Sequence, residues 1–290
     1  MSIERVYTFG EPIEKIIQRR KSVRTYSRMQ LQTEVKEKLQ KHFQQLKGPF
    51  PVAFRFEIFD KLQIKADKKI KLGTYGIIQG AAFFIAAAVE KKEHNMEQLG
   101  YVFENLVLYI TSLGLGTCWL AASFNKNEFF RAMQIKDDEL LPIVTPVGYE
   151  SRIKSPIDLL MKPNPKVKIR KPWDALFFKE SADVILDKAD AGAYAMPLEM
   201  VRLAPSASNK QPWRVILLNR HFHFYLVHNA GYTTRYPYDI QKIDMGIAMC
   251  HFECMANELG LKGRWEMNTP VLDNAPKGWE HIITWIPIQE

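Results

Sequence analysis

Two stretches of this chain combine residue types able to bind negative charge and a flat ring. Arg20, Lys21, Ser22 and Arg24 place three cations and a hydroxyl within five residues. A phosphate monoester carries close to two negative charges, and each charge-assisted hydrogen bond to it is worth about 1.5–3 kcal/mol. The cluster could therefore hold one phosphate, although a solvated basic helix end has the same composition. The second stretch, residues 205–213, reads Pro-Ser-Ala-Ser-Asn-Lys-Gln-Pro-Trp. Its prolines stiffen the backbone, its amides and hydroxyls can read ring-edge polar atoms, and Trp213 can anchor it to a core. That suits the wall of a pocket for a heteroaromatic ligand, and equally an ordinary polar connection.

The elements that must position these stretches follow from periodicity. The basic cluster comes after Pro12 and a helical stripe of Ile13, Ile16 and Ile17. Thr33 is placed to cap a second helix that turns Val35, Leu39, Phe43 and Leu46 inward, and Gly48 and Pro49 end it. Residues 53–59 alternate as a strand with one wet face, and 81–89 are apolar without alternation, as in a strand covered on both faces. Residues 101–113 predict a buried helix ended by Gly114, and 143–148 a strand. Four prolines in 154–172 predict an extended arm. Residues 205–213 join a helical run (Leu198, Val201, Leu203) to a strand at 214–218, which pairs with 222–227 around Asn219 and Arg220. A helix over 244–259, ended by Gly260, and a strand over 281–286 complete the chain.

A repeat is visible within this order. Leu113, Gly114, Leu115 and Trp119 recur as Leu259, Gly260, Leu261 and Trp265, each 146 residues on, and Gly100 and Gly246 share that spacing. Two helix-Gly-Trp units suggest two halves of one design, joined near residues 175–195.

Composition limits the partners. At 290 residues the chain can bury a substantial core, and 47% hydrophobic with 25% charged residues is the balance of a globular protein in water. The formal charge of +8 would attract nucleic acid, a membrane surface or a small anion. Lysines 61, 65, 68, 69 and 71 lie among Asp60 and Asp67 and read as a solvated face, and no nucleic-acid module is recognisable. The longest apolar run, 80–89, is far short of the roughly 20 residues that cross a bilayer. The start lacks the apolar core of a secretion signal, and three cysteines fit a reducing compartment, so a cytoplasmic protein acting on a small molecule is expected.

Both stretches resemble motifs of the nitroreductase family of flavoproteins. R-x-S-x-R-x-Y at 20–26 is similar to the family's opening phosphate motif, and P-S-x-S-N-x-Q-P-W at 205–213 to its active-site loop. N-L-V-L-Y-I-T-S-L-G-L-G-T-C-W at 105–119 resembles the central helix and the turn after it, Val147-Gly148-Tyr149 a late strand, and Lys168-Ile169-Arg170-Lys171-Pro172 a second basic motif. The resemblance implies an α+β fold of α/β/α layers, with mostly antiparallel sheets flanked by helices. It implies flavin mononucleotide (FMN) as cofactor, with Arg20, Lys21, Ser22, Lys168 and Arg170 around the phosphate and Arg24 at the N1/O2 edge. Backbone at Leu120, Ala121 and Ala122 would face N5. Pro205, Ser206 and Ser208 would pack along the ring, and Asn209 and Gln211 would hydrogen-bond near it.

The chain also departs from that family. Ordinary members carry both motifs on one subunit, whereas here Gly48-Pro49-Phe50-Pro51 stands where the first half's loop belongs, and the second half lacks R-x-S-x-R. With the repeat, this implies a fused, intramolecular pseudo-dimer. Residues 1–178 would grip the phosphate and 179–290 supply the loop, giving one FMN per chain and a monomer. The implied reaction passes electrons from NAD(P)H to a nitroaromatic, quinone or similar acceptor through the flavin, with no side-chain nucleophile, so no catalytic residue is named. A flavin holder without turnover and a basic interaction protein are the alternatives.

Other constellations are weaker. His221, His223 and His228 lack an acidic or thiol partner and read as exposed strand histidines, so no metal is expected. Cys250, His251 and Cys254 read as buried small residues, and Tyr75 and Phe124 as core.

Overall fold

Hydrophobic periodicity accounts for most elements of the computed structural model, which describes residues 8–61, 72–121, 123–153, 155–156, 169–231, 238–267 and 275–288. The lysine-rich stretch from 62 and most of the proline-rich arm lie outside the described residues. By compactness the described residues form two units. The later one draws on Met1–Gln18, Met96–Glu104 and Asn164–Glu290, and the earlier one on Arg19–Asn95 and Asn105–Pro163.

In the earlier unit, strands β1 (Phe54–Asp60), β2 (Phe83–Glu90), β3 (Gly116–Thr117) and β4 (Glu139–Gly148) form an antiparallel sheet of order β1-β2-β4-β3. β2 is buried along its length up to Glu90, as its unbroken apolar run requires. Around it stand α2 (Thr33–Gln45), the end of α3 (Asn95–Ser112) and α4 (Lys126–Met133). Phe129 on α4 meets Phe59, Phe84 and Phe124 edge-on with ring centroids 6.1, 5.6 and 5.5 Å away. Phe124 is therefore core, as expected. Tyr75 is not: its side chain is 70% exposed, on a left-handed turn residue. Gln32, not Thr33, occupies the N-cap of α2, and no side chain caps that helix.

The later unit holds β5 (Phe177–Lys179), β6 (Trp213–Leu218), β7 (His221–Val227), β8 (Gly263–Glu266) and β9 (Trp279–Pro287), ordered β5-β6-β7-β9-β8. β5 is parallel to β6 and all other pairs are antiparallel. Helices α1 (Ile13–Arg19), α5 (Lys188–Ala191), α6 (Ala195–Leu203) and α7 (Ile240–Glu258) pack with it. The protein is thus α+β, with two mostly antiparallel sheets flanked by helices. The β6–β7 turn puts Asn219 and Arg220 at φ 50° and 65°, the left-handed pair that a two-residue hairpin demands.

Without β5, the later sheet repeats the earlier one strand for strand: β6-β7-β9-β8 follows β1-β2-β4-β3. The helix ends repeat as well. Leu113 N–H donates to the Tyr109 carbonyl and Gly114 N–H to that of Thr111, and Leu259 N–H donates to Met255 and Gly260 N–H to Asn257, each donor and partner 146 residues on. Within the later unit, residues from the two repeats face each other. A Cβ on Gly100 of α3 would lie 2.1 Å from the carbonyl oxygen of Ile243, and one on Gly246 of α7 would lie 2.0 Å from that of Glu97. Residues 97 and 243 are themselves 146 apart, so the crossing is symmetric under the sequence repeat. Glycine inside a helix costs about 0.5–1 kcal/mol relative to alanine, and here it allows backbone-to-backbone contact that no other residue permits. Gly100→Ala or Gly246→Ala is expected to cost about 3–5 kcal/mol of stability by urea unfolding, because backbone rather than a pliable side chain must move. Gly114→Ala, with open space around its Cβ but φ of +75°, should cost only about 1–2 kcal/mol.

Candidate functional site

Each unit contains a set of polar groups at the positions the sequence singles out. In the earlier unit, residues 22–26 run extended and are tied down on several sides. Val23 N–H donates to the Thr117 carbonyl at 2.8 Å, Gln79 N–H to the Arg24 carbonyl at 2.9 Å, and the Tyr26 hydroxyl to the Val23 carbonyl at 2.8 Å. Ser22, Thr25 and Tyr26 form isolated bridges to Thr117, Gln79 and Glu150. Ser22 is exposed and Arg24 half-buried, and neither side chain has a hydrogen bond or ion pair among the described residues. Lys21 differs, since its ammonium pairs with Glu150 at 2.8 Å. Arg20 is half-buried just beyond α1. Leu120 is buried, and its N–H and carbonyl both bond to Val144 at 3.0 Å, which leaves the half-buried Ala121 next along the chain. Ala122 and Lys168 lie outside the described residues.

In the later unit the loop over 205–213 is held in an unusual backbone state. Ser208, Asn209 and Gln211 have φ of 48°, 56° and 48°, a left-handed conformation that costs about 1–3 kcal/mol per residue unless the surroundings fix it. The surroundings do fix it. Ser206 Oγ accepts from Gln211 N–H at 2.9 Å, and Asp244 on α7 accepts from Ala207 N–H at 3.0 Å. Pro205 is half-buried, while Ser208 is exposed with an uncommitted hydroxyl.

The two amides expected near a ring have another task in the structure. Asn209 Oδ1 accepts from the Arg170 guanidinium, and its Nδ2 donates to the Ile169 carbonyl at 3.0 Å. Gln211, 1% exposed, accepts from Lys171 N–H at 2.8 Å and donates to the Asn209 carbonyl at 3.1 Å. Arg170 also donates to the Leu203 carbonyl at 2.9 Å. The second basic motif is therefore stapled to the loop by Asn209 and Gln211, which brings Arg170 alongside the loop residues as one constellation. Gln211→Ala is expected to cost about 1–3 kcal/mol by leaving buried groups unmatched, and to speed hydrogen exchange at the Lys171 amide.

Three charged residues at this loop have no place in the motifs' expected roles. Lys171 Nζ donates to the Gln211 carbonyl at 3.3 Å, and Arg214 donates to the same oxygen at 3.2 Å. Burial, then the charges of Arg214 and Lys210, lower the Lys171 ammonium to about 8, and burial lowers the Arg214 guanidinium. Asp244 is 3% exposed, and its Oδ2 has no hydrogen-bond partner. Burial raises it well above its ordinary 3.8, with the negative charge of Asp239 adding to the effect. A lone acid inside the apolar run 243–250 is the sequence signal that would have found it.

Because Asp244 keeps its proton to higher pH in the folded protein than in the unfolded chain, the stability this group contributes is complete below pH 3.8 and is lost as pH rises toward its raised folded value. Asp244→Asn removes that loss. Between pH 5 and pH 8 the variant's unfolding free energy should therefore fall less than that of the unaltered protein in urea titrations.

The remaining constellations are structural. His223 is 2% exposed rather than solvated, and it bonds to Thr284 Oγ1 at 2.9 Å. Burial lowers it to about 4, assisted by His281 and His221. His228 pairs with Asp239 at 2.6 Å. Cys250, His251 and Cys254 are buried as expected, with His251 bonded to the Met200 carbonyl at 3.0 Å and to Glu104 at 2.9 Å. Among the described residues no group of three or more His, Cys, Asp or Glu could hold a metal ion, and no helix is long and apolar enough to cross a membrane.

Known proteins share this architecture. The chain matches a family model described as "Putative TM nitroreductase" over residues 12–256. A solved structure from Thermotoga maritima MSB8, described as a "putative nitroreductase", is similar with a TM-score of 0.59 and 20% identity, covering 97% of this chain and 96% of that one. A nitroreductase family protein from Clostridium novyi NT has a TM-score of 0.39 and 21% identity, covering 49% of this chain and 87% of its own. One from Clostridium difficile 630 has a TM-score of 0.40 and 20% identity, covering 53% and 92%. No curated protein matches the chain.

Proposed function

We propose that this chain, which belongs to the "Putative TM nitroreductase" family, is an FMN-dependent oxidoreductase that takes electrons from NAD(P)H and passes them to a nitroaromatic, quinone or similar electron-poor acceptor. The supporting observation is the donor chemistry at the motif positions. Among the described residues Ser22 and Arg24 present a hydroxyl and a half-buried guanidinium without partners, and the strained loop over 205–213 is fixed by bonds that leave the Ser208 hydroxyl uncommitted. Groups held in place and left open suit an anionic, flat cofactor better than they suit a core.

When bound, flavin supplies the hydride chemistry, and the protein supplies position and charge. Ser22 and Arg24, with Arg20, Lys21, Lys168 and Arg170, would provide donors for phosphate and the electron-rich ring edge. A guanidinium stays protonated throughout, so Arg24 would favour the reduced, more negative cofactor without moving a proton. Asn209 and Gln211 would act by holding loop and arm in register. Pro205, Ser206 and Ser208 would line the ring, and the backbone at Ala121 and Ala122, with Leu120 fixing its place, would face it. The topological repeat and the single copy of each motif favour one FMN per chain in a monomer made of two fused halves, with the boundary near residue 178.

Purified protein is expected to be yellow, to bleach anaerobically with NADH or NADPH, and to recover colour with a quinone or nitroaromatic. Colour that neither nicotinamide bleaches would instead mark a flavin holder without turnover, and colourless protein that refuses added FMN would overturn the reading. Arg24→Ala, by removing a charge-assisted bond, should weaken FMN binding about 10- to 100-fold. Asn209→Ala should deplete the same single equivalent, and half the flavin surviving either change would contradict one site per chain.

A further inference from the structure

We infer that Lys171 and Arg214 form a second anion site in the later unit, built for a phosphate monoester and separate from the basic motif at residues 20–24. Both cations reach the Gln211 carbonyl oxygen, Lys171 Nζ at 3.3 Å and Arg214 at 3.2 Å, so they stand within a phosphate's width of each other. Arg214 also donates to the Trp213 carbonyl at 2.6 Å, which fixes its guanidinium on β6. Among the described residues neither has a carboxylate partner, and every interaction they make there is accounted for by these bonds, the Lys171 N–H to Gln211, and mutual repulsion with Lys210.

That arrangement is unusual for a structural pair. Half-buried cations are ordinarily matched by acids, as Arg55 is by Glu139 at 2.8 Å in the earlier unit and Arg202 by Glu199 in this one. Two like charges turned onto one carbonyl repel, and the shared oxygen carries only a partial charge against them. The lowered affinity of Lys171 for its proton reflects the same imbalance. A dianion taking the remaining N–H groups of Lys171 and Arg214 would relieve it, with Lys210 adding positive field from the loop.

The carbonyl itself is locked. Gln211 is in the left-handed region at φ 48°, its amide is held by Ser206 and its side chain by Lys171 and Asn209, so the two cations are aimed by a rigid part of the loop. The phosphate monoester we assign to this site is the 2′-phosphate of NADPH, because the single FMN phosphate is already given to the basic motifs. The site itself rests on the cation geometry, while that source rests on the proposed oxidoreductase reading.

The test compares the purified protein with Lys171→Gln and Arg214→Gln. In the unaltered protein, inorganic phosphate should raise the melting temperature more than chloride at equal ionic strength, and each variant should lose that difference. If NADPH supplies the phosphate, its KM rises at least tenfold in the variants while that for NADH stays within twofold and flavin content is unchanged. That result supports the site. If instead FMN affinity falls at least tenfold while riboflavin affinity does not, the two cations belong to the FMN phosphate site and the second site is overturned. Unaltered protein whose melting temperature responds equally to phosphate and chloride, with both variants folded and within twofold for NADPH and FMN, overturns it. That outcome leaves the oxidoreductase reading intact if the protein still bleaches with a nicotinamide. Should one variant fail to fold, the other decides by the same criteria; should both fail, Lys210→Gln, at an exposed position, is expected to reduce the phosphate difference, and an unchanged difference overturns the site.

Discussion

The close approach of two helices at Gly100 and Gly246 is the constraint on which the later unit depends. Each glycine faces a main-chain oxygen of the opposite helix, so the axes are locked at a distance where no side chain can intervene. With the axes fixed, the neighbouring side chains have defined partners. Tyr101 and Trp265 both donate to Glu253 Oε2 at 2.6 Å, and His251 reaches Glu104 at 2.9 Å, all within a buried seam. α7 then presents Asp244 to the amide of Ala207, which sets the base of the loop. A change at either glycine would propagate to the loop through one continuous helix.

A symmetric contact between two residues and their counterparts 146 positions on is what a two-fold interface between like subunits produces, since each patch then meets its own copy. Here both patches lie on one polypeptide. The two repeats differ at the motif positions. The sheet order and helix caps repeat, but the strained amide loop belongs to one repeat and the extended basic segment to the other. β5 and the residues before it, with no counterpart in the earlier sheet among the described residues, carry Arg170 and Lys171 to the loop.

Elements whose pattern was local were legible in the sequence. The unbroken apolar run of β2, the hairpin at Asn219 and Arg220 and the glycine ends of α3 and α7 all stand where the residues place them. Elements that depend on distant partners were not. α4 is short and outwardly polar, and only the packing of Phe129 against Phe59, Phe84 and Phe124 makes it helical. β5 has three residues and exists because β6 offers an edge. His223 reads as a wet strand residue until β9 supplies Thr284 beside it. At the loop, composition identified the polar stretch, but it could not tell that Asn209 and Gln211 hydrogen-bond to Ile169, Arg170 and Lys171. Nor could it show that Lys171 and Arg214, 43 residues apart in sequence, share one carbonyl.

Native mass spectrometry of the purified chain, with flavin absorbance on the same sample, measures the central claim directly. The account predicts a single chain carrying one FMN. Two FMN on one chain, or FMN bound only by a complex of two chains, would contradict it.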